Sequence, residues 1–170
     1  GLFKVRSNGA GLTRLTGPSP ESRSPAWSPA QNTIAFIRYS HGRGQIWQMH
    51  ANGGRATMLH ADAGISYEDP AWSRDGTRIA VVARTNGHSW IQVMNANGSH
   101  VRDLTARTGD AWNPVWLPGD RGIAWLANGG SVFATRATGT NVTRILRAQA
   151  EEFAWSGTSS SGNTTPERSC

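Results

Sequence analysis

The chain has 170 residues, 37% of them apolar and 20 of them glycine, a composition that suits a core built from short elements divided by turns. No run approaches the ~18 consecutive apolar residues of a membrane helix, and the single cysteine, Cys170, excludes a disulfide within the chain. Lys and Arg outnumber Asp and Glu by 17 to 11, for a net charge of +6, but all of the basic residues except Lys4 are Arg, spread singly over strand ends and turns. That spread reads as a solvated surface and not as a nucleic-acid footprint.

In chain order, the first predicted elements are the runs 2–6 and 11–16, joined at Asn8-Gly9. A short segment, Pro25-Ala26-Trp27-Ser28, follows, then β-rich runs at 33–38 and 45–50, a turn at Asn52-Gly53 and a last run at 55–59. The series restarts at Pro70-Ala71-Trp72-Ser73, with runs 77–84 and 90–95, the turn Asn97-Gly98 and the run 100–104. It restarts again at Pro114-Val115-Trp116-Leu117, with runs 121–127 and 131–136, the turn Thr138-Gly139 and the run 141–146. Phe153-Ala154-Trp155-Ser156 begins a fourth copy, and 157–170 is a Ser/Gly/Thr-rich tail without an apolar run, read as disordered.

Two markers therefore keep step: the Trp at 27, 72, 116 and 155, and the turns at 8, 52, 97 and 138. A period of roughly 40–45 residues holding several short strands is the pattern of propeller blades, whereas helical repeats of that length need long 3.6-residue periodicity. The expected fold is all-β, a β-propeller of four-stranded antiparallel blades with three full blades and an incomplete one. Its units fall at about 1–16, 24–59, 69–104, 113–146 and 153–156. Asn-Gly predicts two-residue hairpins with positive φ between third and fourth strands, and again at Asn86-Gly87 and Asn128-Gly129 between second and third. The second strands, Ile34 to Ile37 and Ile79 to Val82, are apolar on both faces, as a sheet packed between two others requires.

The segment Pro70 to Thr105, PAWSRDGTRIAVVARTNGHSWIQVMNANGSHVRDLT, resembles the Pro-Asp propeller repeat of the TolB family, and the resemblance runs from about Leu2 to Ser156. The same repeat occurs in propellers of prolyl-oligopeptidase-like and tricorn-like peptidases. Ala30-Gln31 and Leu117-Pro118-Gly119-Asp120 depart from the family's Asp-Gly turn. The resemblance implies a six-bladed ring, a periplasmic or extracytoplasmic location and a scaffold that receives a protein or peptide partner. With fewer blades here, the expectation is a partial propeller, or one completed by pairing with another copy, since open blade faces would meet water.

No nucleophile elbow, His-Glu-x-x-His, phosphate loop or Cys-x-x-Cys is present, so no catalytic residue, cofactor or metal site is assigned. Ser28, Ser73 and Ser156 recur with the repeat, which points to structural hydrogen bonds. His41, His50, His60, His88 and His100 lack ligand spacing and read as solvated turn residues. Trp27, Trp72, Trp116 and Trp155 read as packing between blades and Trp47, Trp90 and Trp125 as core, leaving Trp112 as a candidate exposed contact. The variable positions are the two before each Pro-equivalent: Arg23 and Ser24, Glu68 and Asp69, Trp112 and Asn113, Glu151 and Glu152. Side chains that vary on a repeated scaffold are where a binding surface can be diversified without harming the core. Arg23, Glu68, Asp69, Trp112, Asn113, Glu151 and Glu152 are thus expected to ring an acidic channel mouth that binds a partner segment. Neither nucleic-acid binding nor membrane insertion is expected. The alternatives are the gating propeller of a serine peptidase, whose nucleophile lies in another domain, or a channel-mouth glycosidase or lectin using the paired carboxylates.

Overall fold

A computed structural model of the chain describes residues 1–106, 110–127 and 130–146. Glu151, Glu152, the fourth Trp segment and the tail lie outside the described residues. The elements are β1 (Phe3–Lys4), β2 (Thr13–Arg14), β3 (Ser22–Trp27), β4 (Thr33–Ser40), β5 (Arg43–His50), β6 (Thr57–His60), β7 (Ser66–Trp72), β8 (Arg78–Thr85), β9 (His88–Asn95), β10 (Arg102–Asp103), β11 (Ala111–Trp116), β12 (Gly122–Ala127), β13 (Ser131–Arg136) and β14 (Thr143–Leu146), and a 3-10 turn spans Pro118–Asp120. They form three four-stranded antiparallel sheets in sequential order, β3 to β6, β7 to β10 and β11 to β14, and a two-stranded ribbon of β1 and β2. We call the three sheets blades A, B and C.

The blades stack through apolar faces, which is why their central strands lack alternation. Ile37, Ile46 and Ala35 of blade A meet Tyr67, Trp72, Ile79, Val81 and Trp90 of blade B. The opposite face of blade B, with Val82, Ile91 and Val93, meets Trp116, Ile123 and Trp125 of blade C. Each such side chain contributes about 1.5–3 kcal/mol on full burial, so the stacking of blades, more than any one sheet, carries the fold. On the outer face of blade A, Leu2 and Leu15 of the ribbon cover Ile34, Phe36 and Met49.

The repeated Trp ties the blades at their inner edge. The indole Nε1 of Trp72 donates to the Ala26 carbonyl of blade A at 3.1 Å, and that of Trp116 to the Ala71 carbonyl of blade B at 3.0 Å. Trp27 begins the series and is 54% exposed, which corrects the expectation that it packs between blades. Its flank of β3 faces no inner strand among the described residues.

The turns between third and fourth strands differ from the two-residue hairpins expected, whereas Asn86-Gly87 is a two-residue loop between the paired Thr85 and His88 and Asn128-Gly129 lies outside the described residues. At Ala51-Asn52-Gly53 the Gly53 N–H donates to the His50 carbonyl and the His50 N–H to the Gly54 carbonyl, and within this turn only Gly53, at φ 89°, is left-handed. This is a three-residue loop closed by a glycine bulge, and it recurs at Gly9, Gly98 and Gly139. Asn supplies a side-chain acceptor, Asn52 Oδ1 for the Gly54 N–H at 2.9 Å, and not a second positive φ. The turn with two left-handed residues lies instead at His41-Gly42, φ 50° and 76°, between the paired Ser40 and Arg43.

Candidate functional site at the inner-strand kinks

Each inner strand is broken at the same place. Register shifts separate Arg23 from Ala26, Glu68 from Ala71 and Trp112 from Val115, and the residue before each proline is left-handed: Ser24 at φ 47°, Asp69 at 49° and Asn113 at 50°. Small polar residues tolerate that conformation better than bulky ones. A bulge of this kind re-aims the side chains that precede it. The strands β3, β7 and β11 lie next to one another, so the kinks of neighbouring blades adjoin, and Ser24 Oγ donates to Asp69 Oδ1 at 3.3 Å.

Around the first two kinks lie Arg23, Glu68 and Asp69, together with residues that sequence reasoning passed over. Arg23 pairs with Glu21 at 2.7 Å and lies over the Tyr39 ring. Glu68 pairs with Arg84 at 3.4 Å. Burial, and after it the Glu68 carboxylate, push the Tyr39 phenol upward. Glu21, Tyr39 and Arg84 carry no mark of the repeat; they come together through the pairing of β3 with β4 and of β7 with β8. The expectation of an acidic mouth needs correction for the described residues. Glu21 and Glu68 each hold an arginine, and the surface is a mosaic of both signs with one phenol in it.

The third kink is built differently. Trp112 is half-buried and packs on both faces of blade C, against the cluster of Trp116 and Trp125 on one side and that of Leu126 and Val132 on the other. It is therefore part of the core and not the exposed contact anticipated. Asn113 keeps the kinked backbone and is half-buried.

At the far end of the inner strands the chemistry is structural. Ser73 Oγ accepts from the Arg78 N–H at 2.9 Å and donates to Asp75 Oδ1 at 2.6 Å, and Ser28 Oγ accepts from the Gln31 N–H at 3.1 Å. The Ser73 hydroxyl, then the Thr77 N–H and hydroxyl, hold the Asp75 carboxyl down at about 2. Asp120 reaches from blade C to blade B, accepting the Arg74 N–H at 2.7 Å and the Asp75 N–H at 2.9 Å. It occupies the glycine position of the repeat turn at φ 55°, so the drifted Leu117 to Asp120 segment is a cross-blade clamp. Of the histidines, His60 is not a solvated turn residue: it is half-buried, edge-on to Tyr67, with Nε2 at 3.2 Å from Asp62. Among the described residues no three His, Cys, Asp or Glu side chains converge as a metal site.

The family profile described as the TolB beta propeller domain matches residues 2–159. Among solved structures, a protein described as a TolB from Agrobacterium tumefaciens superposes with TM-score 0.74 at 20% identity, covering 84% of this chain and 55% of that one. TolB from Acinetobacter baumannii gives TM-score 0.72 at 19% identity, covering 84% of this chain and 36% of that one. A structure of a nidogen/laminin complex gives TM-score 0.68 at 17% identity, covering 84% of this chain and 56% of that one. An oligogalacturonate lyase in complex with manganese also gives 0.68, at 15% identity, covering 85% of this chain and 41% of the lyase. This chain spans about half the length of the first of these proteins and about a third of the second. No curated protein sequence matches it.

Proposed function

Since the chain belongs to the TolB β-propeller domain family, we propose that it is a non-catalytic binding module of an extracytoplasmic protein, receiving a segment of a protein partner at the inner-strand kinks. One observation carries this reading: three kinks share one backbone geometry, at φ 47°, 49° and 50°, yet the first two carry Arg23-Ser24 and Glu68-Asp69, while the third packs Trp112 into the core and keeps Asn113 beside it. Repetition of the backbone with divergence of the side chains separates scaffold from recognition surface. The mixed charges suit a polar peptide that offers both an ammonium or guanidinium and a carboxylate, with Tyr39 as a rigid aromatic contact. Glu151 and Glu152 extend the same positional series and belong to the proposed surface by sequence alone.

The exposed Trp27 bears on how this surface is completed. Every later Trp of the described series donates to the blade before it, so the flank of β3 is the continuation of an interface already used twice. We assign its occupant as a second copy of the chain, which brings further kinks to the same mouth. Light scattering on the eluting protein is expected to give twice the 18.3 kDa chain mass; a folded monomer would remove the second copy from this account.

The experiment for the module itself is selection of binders from a random peptide display library, followed by titration of the best peptide onto Glu68→Gln and Asp69→Asn proteins. Both variants are expected to keep the wild-type Tm and to lose about tenfold in affinity or more, the scale of a lost charge-assisted contact. Unchanged affinity in both would place binding elsewhere. The peptidase and glycosidase readings gain no specific observation from the described residues.

A further inference from the structure

The two blade boundaries are built on one register but are not filled alike. In blade B, Tyr67 and Trp90 both pair with Ala83; in blade C the same row is Ala111 and Ser131, both paired with Ala127. At the boundary of blades A and B the two rings are fully buried, with the Tyr67 hydroxyl donating to Asp62 Oδ2 at 2.8 Å and the Trp90 Nε1 to Asp103 Oδ1 at 2.8 Å. At the boundary of B and C there is instead a cavity of about 590 Å³, open to solvent. Ala111 and Ser131 line it, and Trp125 and Phe133, stacked with centroids 6.0 Å apart, form an aromatic wall.

Its polar group is also exchanged. Asp103 pairs with Gln92 on β9, and the residue in the same register of blade C is Arg144, paired with Phe133. Where blade B offers an acceptor to an indole N–H, blade C offers a guanidinium that lines the cavity. Among the described residues that line the cavity, Asp110 is the one acid.

We propose that this cavity is a binding site for a small planar aromatic acid. Its ring takes the space that Tyr67 and Trp90 fill at the sister boundary, beside Trp125 and Phe133, and its carboxylate meets Arg144. The volume falls in the usual range for small-molecule sites, apolar walls with a few polar groups that fix orientation, and a planar carboxylate matches the fork of a guanidinium. The proposal stands without the reading given for the inner-strand kinks.

The test uses indole-3-acetate, indole and tryptamine as probes, titrated calorimetrically onto the full chain. Indole-3-acetate is expected to bind saturably with Kd at or below about 1 mM, in keeping with the affinity attainable by a ligand of its size. Ser131→Trp and Ala111→Tyr rebuild the rings of the sister boundary, and should each raise the Tm of the unliganded protein and weaken indole-3-acetate at least about tenfold; either suffices should the other fail to fold. Arg144→Gln should remove the preference for indole-3-acetate over indole. Absence of saturable binding, unchanged affinity in a folded ring-filled variant, or tighter binding of tryptamine than of indole-3-acetate would each overturn the proposal.

Discussion

Asp75 shows how one carboxylate organises a blade. It accepts from the Ser73 hydroxyl and from the Thr77 N–H and hydroxyl, and these bonds favour its ionised form, lowering its pKa from 3.8 to about 2. The stabilisation is therefore fully present above about pH 4 and is lost as pH falls through about 2. Asp75→Asn should cost about 1 kcal/mol at pH 7, and its denaturant midpoint should converge on that of the wild type near pH 2; parallel curves down to that pH would refute the assignment. Asp120 offers a second residue-scale test. Asp120→Gly keeps a backbone at ease with φ 55° and removes only the bonds to Arg74 and Asp75, whereas Asp120→Ala adds backbone strain. The glycine variant is expected to lose about 1–2 kcal/mol and the alanine variant more, as read from urea midpoints.

At the level of the elements, the turn glycines share a left-handed backbone and differ in what lies above them. A Cβ on Gly98 would stand 2.3 Å from the Leu59 carbonyl oxygen of the preceding blade, while one on Gly87 meets nothing within 4 Å. Both glycines are left-handed, at φ 82° and 87°. Gly87→Ala should cost about 1 kcal/mol for the backbone alone, and Gly98→Ala measurably more, because blade A and blade B must separate to admit it. Equal losses would mean that the third-to-fourth-strand turn does not seat against its neighbour. The same reasoning orders the tryptophans. Trp72→Phe and Trp116→Phe each remove an indole donor from a neighbouring carbonyl and should cost about 1–2 kcal/mol, while Trp27→Phe, with its ring 54% exposed, should stay within about 0.5 kcal/mol.

Over the whole molecule, what was legible in the sequence was the repeat, because Pro-Ala-Trp-Ser and the Asn-Gly turns encode backbone geometry that every blade needs. The both-faces-apolar runs at Ile34 to Ile37 and Ile79 to Val82 announced sheets packed on two sides, and Ile34 to Ile37 and Ile79 to Ala83 are buried as that pattern requires. What was not legible arises between blades. The Ser24–Asp69 bond, the Asp120 clamp and the exposure of Trp27 depend on which surface meets which, and no local pattern records that. Trp112 was misread for a reason inside its own blade: Asp110 and Asn113 flank it in sequence, but within the folded sheet it packs against Leu126 and Val132. The candidate mouth was found by position, through divergence on a repeated frame, and its mixed charge became visible only when the neighbouring strands were in place.

The most direct test of the central claim is a map of backbone amide shifts in the isotopically labelled chain as a display-selected peptide is added. The account expects the perturbed amides to gather at Arg23 and Ser24, at Glu68 and Asp69, at Asn113 and at Tyr39. Shifts gathered instead on the outer strands, at β6, β10 and β14, would contradict it and make the inner-strand kinks a feature of the scaffold alone.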